Sequence, residues 1–188
     1  MTEHLPETTI HIGGVYASRD PALVKTILGS CISACLFDPQ SGVGGMNHYL
    51  LPEPPRHSSD ESMPSRFGIH AMDLLIGAIQ KLGGRRDRIQ AKVFGGAHVL
   101  AMKESATGVP QRNIAFIEEF MREEGIPIVA RDLGGYLPRR VMFQTHSGRA
   151  FVQRMGTRTL ALTRLEEQQI ARTAPPPQFG DITLFGDD

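Results

Sequence analysis

The stretch CISACLFDPQSGVGGMNHYLL, residues 31–51, constrains this chain more than any other. Two runs rich in β-forming residues flank Asp38-Pro39-Gln40-Ser41-Gly42. Proline fixes φ early in that link and glycine accepts a positive φ at its end. The spacing predicts a β-hairpin, whose residues alternate between two faces. Directly opposed residues lie equidistant from the turn centre. A centre between Pro39 and Gln40 opposes Cys31 to His48; a centre on Gln40 opposes Cys31 to Tyr49, unless a bulge at Gly44-Gly45 absorbs the difference.

The same reading extends outward from the hairpin. TTIHIGGVYA (8–17) and LVKTIL (23–28) have the composition and alternation of strands. Residues 52–65 carry four prolines and many small polar residues, which predicts a loop. From Ser65, Ile69, Met72, Leu75, Ile76 and Ile79 recur at helical spacing until Gly83-Gly84. RIQAKVFGG (88–96) reads as a strand, HVLAMKESATGVP (98–110) as a loop and RNIAFIEEFMREEG (112–125) as a second helix. Three more strands follow in IPIVARDLGG, RRVMFQTHSG and RAFVQRMG, the last two joined as a hairpin. Strands mixed with adjacent hairpins, rather than strict strand–helix alternation, indicate a layered α/β or α+β domain with mixed sheets and flanking helices. With 188 residues the chain supports one core. We expect the domain over residues 1–157 and a tail over 158–188, made of a short helix, a Pro-rich spacer and an acidic, apolar ending that reads as a frayed terminus, with a docking peptide as the alternative.

Charge narrows the function. Lys plus Arg and Asp plus Glu number 20 each, so the excess of cations that a nucleic-acid or anionic-membrane partner requires is missing. Lys81, Arg85, Arg86 and Arg88 read as a solvated helix end. No apolar run is long enough to span a bilayer, and the N-terminus lacks the basic and apolar blocks of a signal peptide, so a cytoplasmic location is expected. The two cysteines, four residues apart, cannot staple a domain of this size.

A thiol beside a basic imidazole can be held as the thiolate that attacks carbonyls. Gly29 would leave the approach to sulfur open, and the backbone N–H groups of Ser30 and Cys31 would stabilise an oxyanion. Together these parts suit acyl transfer on an amide or ester. Core packing is the competing reading for Cys31, and the better one for Cys35. A metal site of Cys31, Cys35 and His48 lacks a fourth ligand, so neither metal nor cofactor is expected. Asp132 reads as a turn residue, with orienting a base as the alternative, and the FGGA glycines lack the surroundings of a phosphate-binding loop.

LGSCISACLFD, GGMNHYLLP, AKVFGGA, RNIAFIEEFMREEGIPIVARDLGG and SGRAFVQRM, in that order over about residues 10–155, resemble the chemoreceptor glutamine deamidase family, CheD. The resemblance implies a three-layered α/β fold and a cytoplasmic enzyme that converts glutamine side chains of methyl-accepting chemotaxis receptors to glutamate, with ammonia released. It also implies hydrolysis of glutamyl methyl esters in some members and, in many bacteria, a CheC-type phosphatase partner. By this resemblance Cys31 falls on the nucleophile and His48 on the base. A threonine shortly before the LGSC motif is the third member; Thr26 is chosen for it, with Lys25 the alternative. GGYLPRR (134–140) departs from the Gly-Arg-Lys run usual there. Two other readings stay open from the residues themselves: a transglutaminase-like thiol acyltransferase, and a non-catalytic module that docks on receptors or a phosphatase.

Overall fold

The computed structural model describes residues 5–51, 67–99 and 108–156. The loop expected over 52–65, most of that expected over 98–110, and the tail from 158 lie outside the described residues. Among the described residues nine strands and two α-helices follow one another: β1 (Glu7–Thr9), β2 (Val15–Ser18), β3 (Leu23–Leu28), β4 (Ile32–Asp38), β5 (Val43–Asn47), α1 (Gly68–Lys81), β6 (Gln90–Gly95), α2 (Val109–Glu123), β7 (Ile128–Leu133), β8 (Arg139–Gln144) and β9 (Ala150–Arg154). They form a four-stranded sheet in the order β1-β3-β8-β9 and a five-stranded sheet in the order β2-β5-β4-β6-β7. Both sheets are mixed, because β1 runs parallel to β3 and β6 parallel to β7 while the other pairs are antiparallel. The fold is α+β, as expected.

Both helices pack on the five-stranded sheet, and β8 of the four-stranded sheet meets β5 from the other side. Strand alternation then sorts side chains between two cores. Ile32, Ala34 and Leu36 of β4 point to the helices, where Met72, Leu75, Ile76, Ile79 and Ile117 close the first core. Cys31, just ahead of β4, and Cys35 within it point the other way, into the inter-sheet core with Val24, Leu28, Met46, Phe94, Val141 and Phe143. Of the five residues in the predicted stripe of α1, Ile69 alone is exposed; Ala71 takes the inward place.

Two expectations are corrected. The single strand read over 8–17 is two strands in different sheets, because the chain turns at Ile12-Gly13, with Gly13 at a positive φ, and Gly14 N–H donates back to His11 O at 2.7 Å. A Cβ on Gly14 would meet the His11 carbonyl, so a side chain there would block the crossing. The hairpin is present, but in neither predicted register. Asp38 pairs with Val43, Leu36 with Gly45 and Ile32 with Tyr49, which centres the turn between Gln40 and Ser41. Asp38 explains the difference. Its carboxylate accepts from Gln40 N–H at 2.9 Å and Ser41 N–H at 3.4 Å, while its carbonyl accepts from Gly42 N–H at 3.0 Å. These bonds wind four residues into the loop, and Gly42 closes it at φ +68°.

Candidate active site

The observed register places His48 opposite Ser33 and Cys31 opposite Leu50, so the thiol and imidazole are diagonal neighbours on one face rather than direct partners. Diagonal pairs remain within about 7–8 Å between backbones, with their Cβ atoms somewhat closer. The two groups share the inter-sheet face at the end of the hairpin where the ladder stops.

His48 is 5% exposed and follows β5 directly. Its backbone is clasped on the other side by the sheet crossing: Gly13 N–H donates to His48 O at 2.7 Å and His48 N–H donates to Gly14 O at 3.0 Å. Thr26, 2% exposed, comes from the other sheet. Along β3, Val24, Thr26 and Leu28 alternate inward, while Lys25 points out and pairs with Glu7. Thr26 is therefore the residue that meets the imidazole, while Lys25 lies on the other side of the strand.

The hydrogen bonds fix the tautomer. Thr26 Oγ1 lies 2.8 Å from Ile10 O and 2.8 Å from His48 Nδ1. A hydroxyl has one proton, and a carbonyl can only accept it. Thr26 therefore donates to Ile10 O, and His48 Nδ1–H donates to Thr26. Nε2 then carries the lone pair, and among the described residues it has no hydrogen-bond partner. Burial, and secondly the neighbouring His11, pull the imidazole down to about 3, so at neutral pH it is an uncharged base. A charge on this ring would be desolvated.

Cys31 is fully buried, and neither cysteine is in a disulfide. Burial raises the Cys35 thiol far above its ordinary range, which leaves it an inert S–H. Gly29 and Ser30 form the crossing from β3 to β4, and Gly29 O accepts from Ala97 N–H at 2.8 Å. The FGGA glycines serve this crossing and not a phosphate. Gly96 N–H donates to Cys31 O at 2.8 Å, and Gly95, at φ +117°, approaches so closely that a Cβ would overlap that carbonyl oxygen. Asp132 is no simple turn residue either: its carboxylate accepts from Arg139 at 2.7 Å and from Arg154 at 3.3 Å.

Asn113 was missed from sequence. It is completely buried at the start of the inward stripe Asn113, Ile117, Met121 of α2. Its amide donates to Ser30 O and to Leu50 O, both at 2.9 Å. The side chain thus bridges the two hairpin strands where their own ladder has ended, one residue from Cys31 and two from His48. An amide at an apolar stripe position is the signal that could have found it. Among the described residues no three His, Cys, Asp or Glu side chains gather as a metal site would need.

A cysteine just ahead of a strand, sharing one sheet face with an imidazole oriented through Nδ1, resembles the arrangement on which thiol-dependent hydrolases are built. Comparison with known proteins supplies the family. The family model described as CheD chemotactic sensory transduction matches residues 50–154. A protein of Halorhodospira halophila named "Probable chemoreceptor glutamine deamidase CheD" is 41% identical over 92% of this chain and 82% of its own length. Proteins of the same name from Caulobacter vibrioides and Rhizobium rhizogenes are 42% and 44% identical, covering 94% and 88% of this chain and 92% and 89% of their own lengths. The chain belongs to the CheD family.

Proposed function

We propose that this chain is a chemoreceptor glutamine deamidase, hydrolysing selected glutamine side chains of chemotaxis receptors to glutamate with release of ammonia. The observation that carries the reading is the bonded series from His48 Nδ1 through Thr26 to Ile10 O, which leaves the Nε2 lone pair on the face that also holds Cys31. The names of the relatives supply the substrate class.

In this mechanism Cys31 is the nucleophile, His48 the base and Thr26 the residue that orients His48. His48 Nε2 takes the thiol proton as sulfur attacks the glutamine Cδ, and Nδ1–H stays on Thr26 throughout. Backbone N–H groups of Ser30 and Cys31, in the crossing that begins at Gly29, face the oxyanion. The tetrahedral intermediate expels ammonia with the proton from His48 and leaves a thioester. Water, deprotonated by His48, then releases glutamate and restores the thiol. No step requires a metal or cofactor, and a glutamyl methyl ester gives the same acyl-enzyme. The buried imidazole suits both halves: neutral at rest, it gains its charge only alongside a developing negative charge. Because Cys31 is fully buried, the packing over the thiol must open for a glutamine side chain to enter.

The cytoplasmic helices of the receptors are the partner in this reading, and the cytoplasm is the compartment that keeps a nucleophilic thiol reduced. A CheC-type phosphatase is a second partner, proposed on the family resemblance. Mass spectrometry of a receptor cytoplasmic fragment incubated with the protein tests the reading. A single-unit mass gain at particular glutamines that is lost with Cys31→Ala is expected. Unchanged glutamines on a fragment that both proteins bind would leave the docking-module reading in its place, and amine-labelled glutamine would indicate a transglutaminase-like transfer.

A further inference from the structure

Two strands away from Cys31 the structure holds a loop that is pinned at its base and apolar at its tip. Gly134 and Gly135 leave β7 at φ +78° and +77°, and buried Pro138 leads into β8. Gly134 N–H donates to Gly95 O at 2.9 Å and Gly135 O accepts from His98 N–H at 2.8 Å. Arg139, 1% exposed, spreads its guanidinium under the loop and donates to the carbonyls of Asp132 and Gly134 and to the Asp132 carboxylate. Met155 N–H, just past β9, donates to Pro138 O at 2.8 Å. A loop fixed in this way has a definite shape, yet it presents Tyr136 at 62% exposure and Leu137 at 38%. The Tyr136 ring stands 6.0 Å from the ring of His98, on the segment that starts with Gly96 against Cys31.

Exposed apolar side chains lose hydrophobic stabilisation, but on a loop whose backbone is already pinned they bind a partner without the cost of ordering that backbone. We infer that Tyr136 and Leu137 form a docking knob for the receptor helix that presents the target glutamine, gripping an apolar residue of that helix while the glutamine enters the site. The inference rests on the deamidase reading for the identity of the helix. Position argues for this occupant, because the knob is continuous with the site through β6. Neighbouring strands lie about 4.8 Å apart, so the loop begins roughly 10 Å from Cys31 and its side chains reach roughly 10–15 Å from it. A helix rises about 1.5 Å per residue, so the gripped residue lies about 7–10 positions from the glutamine, two to three turns along. Position seven returns to the same helical face. The recognised feature is therefore a glutamine with an apolar residue two turns away.

The test compares the full chain with Tyr136→Ser, Leu137→Ser and the double substitution, on a receptor cytoplasmic fragment. Both residues are exposed, so Tm is expected to stay within about 2 °C and iodoacetamide should alkylate Cys31 at the unchanged rate. KM for the fragment is expected to rise about tenfold or more in the double variant, with kcat retained at saturation. In a Cys31→Ala background, which cannot turn over, Kd for the fragment should weaken by the same factor. Replacing the apolar receptor residue seven positions from the glutamine by serine should raise KM for the unsubstituted enzyme and leave the double variant unaffected. An unchanged KM and Kd in the double variant overturns the inference, as does a fall in kcat and alkylation without a change in Kd. Failure of the deamidase reading looks different: the fragment then binds, with Kd still reporting on the knob, while every glutamine keeps its mass.

Discussion

Replacing Thr26 with valine keeps the approximate volume and removes one hydroxyl, and that hydroxyl serves two buried partners. It accepts from His48 Nδ1–H and donates to Ile10 O, each at 2.8 Å. Leaving a buried polar group unsatisfied costs about 1–3 kcal/mol. For the Ile10 carbonyl that cost falls on stability. The imidazole has an escape: its proton can move from Nδ1 to Nε2, which has no partner among the described residues. The tautomer that results carries its N–H on Nε2 and, in the proposed mechanism, cannot accept the thiol proton. If the lost bond held the tautomer by about 1–3 kcal/mol, the competent fraction falls roughly 5- to 150-fold, since about 1.4 kcal/mol is a factor of ten.

We therefore expect Thr26→Val to lower kcat on a receptor fragment by roughly 10- to 100-fold with KM nearly unchanged, and to lower unfolding stability by about 1–3 kcal/mol. Thr26→Ser, which restores the hydroxyl, should recover activity to within about threefold. The rate of Cys31 alkylation against pH separates orientation from general damage, because without a base facing the thiol the profile should move to higher pH. Activity in Thr26→Val within threefold of the unsubstituted chain would refute the reasoning, and so would a Thr26→Ser variant as inactive as Thr26→Val.

Three other outcomes follow from the same geometry. Asn113→Asp removes both donors to Ser30 O and Leu50 O and sets a carboxylate against two carbonyls; a loss of about 2–4 kcal/mol in urea unfolding is expected, with kcat falling more than for an equally destabilising Ile117→Ala. Gly95→Ala forces a side chain onto the Cys31 carbonyl at a positive φ; it should remove activity and at least about 2 kcal/mol of stability, whereas Gly42→Ala, at a positive φ but in open space, should lose about 1 kcal/mol and keep its activity. Stability should also fall as pH is lowered from about 6.5 to about 3, because unfolded His48 binds a proton across that window and folded His48 binds one only near 3. The full window is worth on the order of 5 kcal/mol, it adds nothing above pH 6.5, and a flatter urea-midpoint profile for His48→Gln checks it.

Local chemistry was legible in the sequence wherever one residue type has one use. Asp38-Pro39 and Gly42 announced a turn, and α1 carried its apolar stripe openly. The register was not legible, because it depends on how many residues the turn absorbs, and that is decided by Asp38 side-chain bonds with no strong signature of their own. The split of residues 8–17 was hidden for a related reason: the alternation continues across Gly13-Gly14 although the chain changes sheets there. Lys25 could have been set aside from sequence, since Val24 and Leu28 mark the inward parity of β3 and Thr26 shares it. Asn113 could not be given its role beforehand, because what it bridges exists only after helix and hairpin meet.

Cys31 and Cys35 share a core face and both are buried, so burial does not distinguish them. The ladder does. Cys35 sits inside β4, paired on both sides by Met46 and Lys92, and the backbone around it is fully engaged in the sheet. Cys31 precedes the strand, where the two sheets part and the chain crosses from β3. There Gly96 and Asn113 replace regular pairing with single bonds to the Cys31 and Ser30 carbonyls. The crossing at Gly29-Ser30 begins in the strand that carries Thr26, and β5 returns to deliver His48 to the same place. The end of the hairpin is thus where the two sheets can contribute one group each to a single thiol. The thiol four residues further on meets only β-sheet, so Cys35→Ala should keep deamidation near the unsubstituted rate, while Cys31→Ala, which leaves the thiol at 35 in place, should lose it.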